Sequence, residues 1–590
     1  MPPLERLRPG GGQIDVLRQL AVVLGVDPAE LNALLASEAS AIRYQDNLEP
    51  ATAKRVDQLA LAGLLVQQNP VHLVRAAWLE AGPASIDEVP VDPANPGSRG
   101  ADWVARIKPA VWAALTPLWE GSEAPEQRSV EARLRAPFVY LAREVPLELG
   151  EAVEAAIKDR PELAGLSVHR EYRREYPQGE VAKLLLGRAD VDERGISGLE
   201  SLYNQILTGV DGFRKVTVSA LGRPIMQERE ELVPPVHGKN VELTIDVVLQ
   251  GYAEEALLKA ITDNDADWGL AVVVEPNSGE VLAMADAASA THDVPPMNRG
   301  LSIAYEPGSI IKPLVVAGAL EAGLTQPHEG FYCGGRVKVG RRTLSCIKEH
   351  GPETVADAVR DSCNMVMIRL AERMRQERLE RNFRALGLLS RTGLGLQGQE
   401  AIGGIFENSE DGRWSIQKVA TVSYGKGIQC TAVGLARAYC ALLNGGTLPR
   451  LHLVRRIREQ DGAVVVEQPV EPGPRLFGAP TTQRVREMLR AVVAHEEGTG
   501  QLAASELYDM GGKTGTSIAY DADDQRVVSF VGFAPYEKPR LLVLVSVAEP
   551  RAGMRWGSTT CGPAAREIIE KGLQYLGVPP KPPAPKEQPE

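Results

Sequence analysis

At 590 residues, with 44% hydrophobic and 24% charged residues, the chain is long enough for several globular domains with large buried cores. Its formal net charge of −12 and the lack of a basic run argue against nucleic-acid binding, because no stretch could neutralise a row of phosphates. The longest apolar runs, residues 20–26 and 59–66, fall far short of the ~20 residues that span a bilayer. The first residues also carry no signal-peptide core.

The first hundred residues predict short helices followed by a loop. We expect a helix over 14–24 and a second that begins with Asp27 as N-cap and Pro28 at its first position. Helical periodicity continues over 43–66, whereas 82–100 is rich in proline, glycine and aspartate and predicts a loop.

The middle and end of the chain mix strand and helix patterns. The sequence predicts helices over 147–159, 354–386 and 414–443 and strands over 138–145, 270–275, 281–284, 513–519, 527–533 and 541–548. Strands that flank helices in this way indicate an α+β domain, an antiparallel sheet with helices on both faces. The proline-rich tail, 579–590, predicts disorder.

One stretch, Tyr305–Pro313, places a serine at a helix start and a lysine one turn later. Pro307 and Gly308 break any preceding helix, and the apolar residues that follow predict a buried helix. Residues three apart share a helix face, so the amine of Lys312 can reach the hydroxyl of Ser309. A serine needs such a base to act as a nucleophile, although Ser-x-x-Lys alone also fits an ordinary N-cap serine beside a surface lysine.

Two further motifs follow in order: Asp361-Ser362-Cys363-Asn364 and Gly511-Gly512-Lys513-Thr514-Gly515-Thr516-Ser517. With Ser309 and Lys312 they resemble the signature of penicillin-binding proteins and serine β-lactamases. Flanking stretches make the chain similar to class B penicillin-binding proteins from about residue 137 to 577; they lie at 243–246, 275–280, 298–299 and 498–500.

This resemblance implies a peptidoglycan D,D-transpeptidase of cell-wall synthesis, active in division or elongation. It implies a transpeptidase domain over 237–578 on a pedestal, the dimerisation-type domain, over 101–236. Residues 1–100 would form a partial, mostly helical N-terminal region, and 579–590 a disordered tail. Within the pedestal the resemblance rests on Arg174, Gly198 and Glu200, and one departure is visible. Ser197 stands where the family usually has an acidic residue, which weakens any polar link built there.

The resemblance also assigns roles at the catalytic centre. Ser309 would attack the carbonyl of the penultimate D-alanine of a stem peptide, and Lys312 would take its proton. Lys312 must then be neutral, and burial beside a second ammonium, Lys513, would lower its pKa. Ser362 would relay the proton to the leaving amine, because a hydroxyl both donates and accepts. Asn364 would hold the substrate amide.

The last motif is expected to bind the substrate as an added strand. Residues 513–516 would lie on an edge strand, and Gly515 has no side chain to block that approach. Thr514 and Thr516 would bind the terminal carboxylate. By resemblance, the backbone N–H groups of Ser309 and Thr516 form the oxyanion hole.

Six cysteines in so long a chain do not define a disulfide scaffold. Cys333 and Cys346 bracket a hairpin-like segment, 334–340, so a bridge between them is possible in an oxidising compartment. Together with His350 they lack a fourth ligand and a standard spacing, which disfavours zinc. We expect no metal and no cofactor.

Three functions share this set of motifs: a transpeptidase, a serine β-lactamase and a β-lactam-acylated sensor. Only the first two deacylate at a useful rate, and no second carboxylate motif of the kind that activates water in class A β-lactamases is apparent. The expected partners are stem peptides, β-lactams, a glycosyltransferase and proteins of the division or elongation complex, but not nucleic acid. We expect an envelope protein whose catalytic domain lies outside the cytoplasmic membrane.

Family members also carry an N-terminal membrane helix, and none is recognisable before about residue 14. We therefore expect a truncated or mis-started chain, or a variant exported by another route.

Overall fold

The computed structural model describes residues 86–90 and 103–107 and, from 147 to 582, all but short segments. Those segments are 160–167, 169–173, 191, 216, 219–223, 226–230, 293, 395, 397–399, 406–411, 471–472 and 519–525. Several sequence predictions lie outside the described residues: the three N-terminal helices, the strand over 138–145, most of the tail and the expectation about the start of the chain.

The helices of the described residues are numbered in chain order. They are α1 Leu147–Asp159, α2 Lys183–Leu186, α3 Gly198–Leu202, α4 Asn204–Leu207, α5 Val247–Asp263, α6 Arg299–Ser302, α7 Lys312–Glu321, α8 Val355–Arg360, α9 Asn364–Ala385, α10 Ile416–Val422, α11 Ala432–Leu443, α12 Ala479–Ala494, α13 Gly557–Thr560 and α14 Gly562–Tyr575. Two 3-10 turns, Gly308–Ile311 and Gln501–Ala503, accompany them. None of these helices is both long enough and apolar enough to cross a bilayer.

The strands of the same residues are mostly short. They are β1 Ile86–Pro90, β2 Trp103–Ile107, β3 Phe213–Lys215, β4 Thr217–Val218, β5 Pro224–Ile225, β6 Glu231–Val233, β7 Asn240–Leu243, β8 Trp268–Val274, β9 Val281–Ala288, β10 Ala304–Tyr305, β11 Gly330–Cys333, β12 Arg336–Val339, β13 Arg342–Ser345, β14 Gly351–Thr354, β15 Gly404–Ile405, β16 Ile428–Thr431, β17 Val454–Arg458, β18 Val464–Glu467, β19 Gly511–Ile518, β20 Arg526–Ala534 and β21 Leu541–Ala548.

The chain divides into two compact units. Helix α1, the β1–β2 ladder and the β4–β5 ladder belong to the first unit, and the remaining elements belong to the second. The sequence prediction of a loop over 82–100 is wrong at 86–90, because Ile86 to Pro90 pair antiparallel with Ile107 to Trp103. The helix predicted over 147–159 is confirmed with the same bounds.

A five-stranded antiparallel sheet in the order β19-β20-β21-β8-β9 organises the second unit. Strands β8 and β21 are buried along their whole length, as expected of central strands covered on both faces. Successive side chains point to opposite faces, so Val272 and Val274 join one apolar cluster while Ala271 and Val273 join the other.

Helices cover both faces of this sheet. Side chains of α5 and α14 fill one cluster, and side chains of α7, α9, α11 and α12 fill the other. The predicted α+β architecture is therefore confirmed, and so is the edge position of the strand that carries Lys513.

Two long predicted helices are each interrupted. The prediction over 354–386 becomes α8 and α9, separated at Asp361–Cys363, and the prediction over 414–443 becomes α10 and α11 around strand β16. Ser362 has a positive φ of 61°, and Gly425 and Gly427 have φ of 88° and 78°, so the backbone leaves the helical region at both places. The first break brings Ser362 into the site described below.

The pedestal residues on which the resemblance rests lie together in the second unit. Arg174 donates two hydrogen bonds to the carboxylate of Glu200, at 2.7 and 3.0 Å. Gly198 has φ of 58°, and a Cβ there would lie 2.5 Å from the nitrogen of Gly187. The hydroxyl of Ser197 accepts a hydrogen bond from the backbone N–H of Arg188 at 3.1 Å, so this position supports a local turn.

Candidate active site

Ser309 lies in the 3-10 turn that leads into helix α7, as the sequence predicted. Its side chain is half-buried, whereas Gly308 and Ile310 on either side are buried. The hydroxyl of Tyr439 donates to the carbonyl of Ile310 at 2.5 Å, which anchors the turn to helix α11. The candidate nucleophile is therefore partly accessible, and the turn that carries it is held in place by helix α11.

Strand β19 packs directly against this turn because both elements use glycine at the contact. A Cβ on Gly308 would lie 2.4 Å from the carbonyl oxygen of Thr516, and Gly308 also has φ of 55°. A Cβ on Gly515 would lie 2.8 Å from Cγ2 of Ile310. The backbone of the third motif, on strand β19, therefore lies directly against the backbone of the turn that carries Ser309.

Lys312 is fully buried at the start of helix α7. Its Nζ donates to the carbonyl oxygen of Ser362 at 2.6 Å and to the hydroxyl of Ser362 at 3.2 Å. Burial lowers the pKa of Lys312 to about 8, because a charged amine is poorly solvated there. Within the described residues no hydrogen bond joins Lys312 to the hydroxyl of Ser309, so the contact predicted from their spacing is not made in this state.

Lys513 reaches the same serine from strand β19. It is fully buried, and its Nζ donates to the hydroxyl of Ser362 at 3.0 Å and to the carbonyl of Thr514 at 3.2 Å. Burial, and then the charge of Lys312, lower the pKa of Lys513 well below its ordinary value. The hydroxyl of Ser362 therefore connects two amines that are easier to deprotonate than an exposed lysine.

The remaining predicted residues lie around this centre. Thr514 donates to the hydroxyl of Thr499 at 3.3 Å, and Thr499 donates to the carbonyl of Arg360 at 3.0 Å. Thr516 is half-buried on the same strand. The side-chain amide of Asn364 donates to the carbonyl of Ser345 at 3.1 Å.

Sequence reasoning missed several residues that shape this site. Thr499 was noted only as part of a flanking stretch, and its link between β19 and α8 depends on tertiary contact. Glu306 is also buried, and its carboxylate accepts a hydrogen bond from the N–H of Gly427 at 2.7 Å. Gly427 was the sequence signal for this contact, because a tight turn with a positive φ favours glycine.

Beside the second motif lies a group that we call the cysteine–histidine cluster: Cys333, Cys346, His350 and Cys363. Their ligand atoms all lie within 4.8 Å of one another. The sequence argument that a fourth ligand is lacking is wrong, because Cys363 supplies it from the turn between α8 and α9. All six cysteines are unpaired, so the possible bridge between Cys333 and Cys346 is not formed.

The fold and the lysine–serine–lysine centre define a serine acyltransferase of the penicillin-binding type. Family models for the penicillin-binding protein transpeptidase domain and for the penicillin-binding protein dimerisation domain match residues 269–570 and 115–243. The chain is 33% identical over 438 residues to stage V sporulation protein D of Bacillus subtilis, covering 71% of this chain and 67% of that protein.

It is also 30% identical over 462 residues to the peptidoglycan D,D-transpeptidase FtsI of Escherichia coli, covering 76% and 74% of the two chains. Among solved structures, apo penicillin-binding protein 3 of Mycobacterium tuberculosis aligns with a TM-score of 0.60 at 29% identity, covering 70% of this chain and 92% of that one. The apo transpeptidase domain of Burkholderia pseudomallei penicillin-binding protein 3 aligns with a TM-score of 0.51 at 30% identity, covering 58% and 98%. The chain belongs to the class B penicillin-binding proteins.

Proposed function

We propose that this protein is a penicillin-sensitive D,D-transpeptidase that cross-links peptidoglycan stem peptides through an acyl-enzyme on Ser309. The observation that carries the proposal is the hydroxyl of Ser362, held between the buried amines of Lys312 and Lys513. This arrangement offers a proton path next to an accessible serine. Membership of the class B family supports the same reaction and a place in cell-wall synthesis in the envelope.

In the acylation step the oxygen of Ser309 attacks the carbonyl carbon of the penultimate D-alanine, and Lys312 takes the serine proton. Collapse of the tetrahedral intermediate breaks the peptide bond, and the terminal D-alanine leaves as an amine. Ser362 donates its proton to that amine and is reprotonated by Lys312. An amine of a second stem peptide then attacks the ester, which restores Ser309 and forms the cross-link.

The geometry of the free protein fits this path once substrate is bound. Lys312 already contacts Ser362, and its side chain lies one turn from Ser309. Hydrogen bonds of catalytic groups are often long or misaligned without substrate, so the missing Lys312–Ser309 hydrogen bond does not exclude Lys312 as the base. With a pKa of about 8, about a tenth of the Lys312 amines are neutral at pH 7.

Strand β19 supplies the substrate platform. As an edge strand it has backbone groups that an extended peptide can pair with. Gly515 instead makes room for the serine turn, because a Cβ there would lie 2.8 Å from Cγ2 of Ile310. Thr514 and Thr516 bind the terminal carboxylate, and Asn364 binds the amide of the stem peptide. The N–H groups of Ser309 and Thr516 stabilise the developing oxyanion.

We place the catalytic domain on the outer side of the cytoplasmic membrane, beside a glycosyltransferase and proteins of the division or elongation complex. The support is the family to which the chain belongs, whose members named above include a sporulation protein and FtsI. Labelling of intact cells with a membrane-impermeant fluorescent penicillin tests the location. Labelling only after lysis would contradict it.

Mass spectrometry after penicillin treatment tests the reaction itself. We expect one penicilloyl adduct, mapped to Ser309, and none on the Ser309→Ala variant. Ser302→Ala, a substitution on the nearby helix α6, is the matched control and should label normally. An adduct on another residue, or full labelling of Ser309→Ala, would overturn the proposal.

A further inference from the structure

The cysteine–histidine cluster has the composition of a closed zinc site, and three of its six ligand-atom separations are close to those of a zinc tetrahedron. With Zn–S bonds of ~2.3 Å and a Zn–N bond of ~2.0 Å, tetrahedral angles separate two sulfurs by about 3.8 Å and a sulfur from a nitrogen by about 3.5 Å. The sulfurs of Cys346 and Cys363 lie 3.8 Å apart. Nδ1 of His350 lies 3.4 Å from the sulfur of Cys333 and 3.7 Å from that of Cys346.

The surroundings of the cluster also suit a cation. Nε2 of His350 is buried and has no hydrogen-bond partner among the described residues. The carboxylate of Glu353 is also buried, and it lies next to the thiol of Cys363. Glu353 lies opposite Phe331 in the β11–β14 ladder, so it shares a ladder face with Cys333. The N–H of Asn364 points at the sulfur of Cys346 at 3.2 Å, a contact that stabilises a thiolate.

The four residues come from three places in the chain. Cys333 ends strand β11, Cys346 and His350 flank the connection from β13 to β14, and Cys363 directly precedes helix α9. A shared ligand would therefore tie the β-rich segment 330–354 to the turn that carries Ser362. That turn has the positive φ of Ser362, an uncommon conformation that neighbouring contacts must maintain.

We propose that the cysteine–histidine cluster binds one zinc ion as a structural site. Binding displaces three thiol protons, and three thiolates and a neutral imidazole fill all four positions around the ion. No position is left open for water or substrate, so the ion takes no chemical part in acyl transfer. It fixes Cys363, and through it the neighbouring Ser362 and Asn364.

Elemental analysis of the full chain, purified under reducing conditions with zinc in the growth medium, tests the site. We expect one zinc per chain and, after exchange with cobalt, the thiolate charge-transfer and tetrahedral ligand-field bands of a thiolate-bound Co²⁺. Cys333→Ser and His350→Ala should retain less than about a tenth of the metal. Glu353→Gln should bind zinc ~10–100-fold more weakly.

Cys440→Ala is the matched control, since Cys440 is equally buried but lies on helix α11 outside the cluster. It should keep one zinc per chain. Wild-type protein that is folded and reduced yet binds neither zinc nor cobalt would overturn the proposal. So would an intact Cys346–Cys363 disulfide in protein that retains full penicillin labelling, because those sulfurs could not then bind a metal.

The effect on Ser362 is a separate measurement that rests on the proposed function. Removing zinc with a chelator should slow penicillin labelling of Ser309 on the order of tenfold or more, and added zinc should restore it. Unchanged labelling of metal-free protein would overturn the positioning role. Metal content is measured without labelling, so a protein that binds zinc but is not acylated would contradict only the proposed function.

Discussion

Lys312 and Lys513 donate to the same oxygen, the hydroxyl of Ser362, at 3.2 and 3.0 Å. Both side chains are fully buried, so two ammonium charges here would repel strongly in a medium of low dielectric. Burial, and then the charge of Lys312, accordingly lower the pKa of Lys513. The pair therefore sets the pH at which the site can accept a proton.

The first prediction concerns the pH dependence of acylation. A base acts only when it is deprotonated, and burial lowers the pKa of Lys312 to about 8. The rate of penicillin labelling should therefore rise about tenfold per pH unit below that value and level off above it. Stopped-flow labelling from about pH 6 to about pH 10 measures this, and a rate that stays flat across the range would exclude Lys312 as the base.

Removing the proposed base should slow acylation more than removing a buried lysine elsewhere in the domain. Lys312→Ala should slow acylation by ~10²–10⁴-fold, the range typical of a lost general base. Lys418→Ala is a suitable control, because Lys418 is also largely buried but lies on helix α10. If the two variants lose labelling equally, the loss reflects damage to the fold and not to the proton path.

A third prediction tests the coupling between the two lysines. Lys513→Arg places a permanent positive charge near Lys312, whereas Lys513→Met carries no charge at any pH. A nearby positive charge disfavours a second one, so the labelling profile of Lys513→Arg should have its midpoint at lower pH than that of Lys513→Met. The two variants should also differ from each other in affinity for the substrate carboxylate. That difference changes KM and leaves the midpoint of the pH profile unchanged. Coincident midpoints would show that the amines do not interact.

The fourth prediction uses two glycines of similar backbone conformation. Gly308 and Gly323 have φ of 55° and 66°, so alanine at either position costs about 1–2 kcal/mol for the left-handed backbone. A Cβ at 308 would also lie 2.4 Å from the carbonyl oxygen of Thr516, while nothing lies within 4 Å of one at 323. Gly308→Ala should therefore lower the melting temperature further and abolish labelling, and Gly323→Ala should label normally. Equal behaviour of both variants would contradict the close approach of strand β19 to the serine turn.

The parts of the fold that could be predicted are those with a repeating apolar pattern. Strand β21 occupies its predicted bounds, because every residue from Leu541 to Ala548 is buried and the run reads as a central strand. The break between α8 and α9 could not be predicted, since Asp361–Asn364 contains neither glycine nor proline. Its conformation is set by contacts with Lys312 and Lys513, which are distant in sequence.

Prediction of the site is limited in the same way, by contacts between residues that are distant in the sequence. The motif residues could be found because their spacing along the chain resembles a known family. The cysteine–histidine cluster could not, because Cys363 joins Cys333 and Cys346 only when the turn before α9 folds beside segment 330–354. A search for metal ligands within segment 330–354 finds Cys333, Cys346 and His350. It misses Cys363, which lies outside that segment.

The fate of the acyl-enzyme separates a transpeptidase from a β-lactamase. An acyl-enzyme is an ester, and hydrolysis needs a base beside a bound water. Two carboxylates lie close in sequence to the catalytic serines, and both are engaged. Glu306 accepts the N–H of Gly427, and Asp361 accepts two hydrogen bonds from Arg360 at 2.7 and 2.9 Å.

Because both carboxylates are engaged in these hydrogen bonds, we expect neither to activate water, and the penicilloyl adduct on Ser309 should decay over minutes to hours. A D-amino acid or a stem-peptide amine should be incorporated when a thioester substrate is supplied. Glu306→Gln leaves the nucleophile intact, so it should leave the adduct lifetime unchanged; a longer lifetime would identify Glu306 as the base that activates water. Penicillin turnover measured beside thioester aminolysis decides between the two enzymes. Turnover near the ~10 s⁻¹ typical of enzymes, with no amine product, would make this protein a β-lactamase.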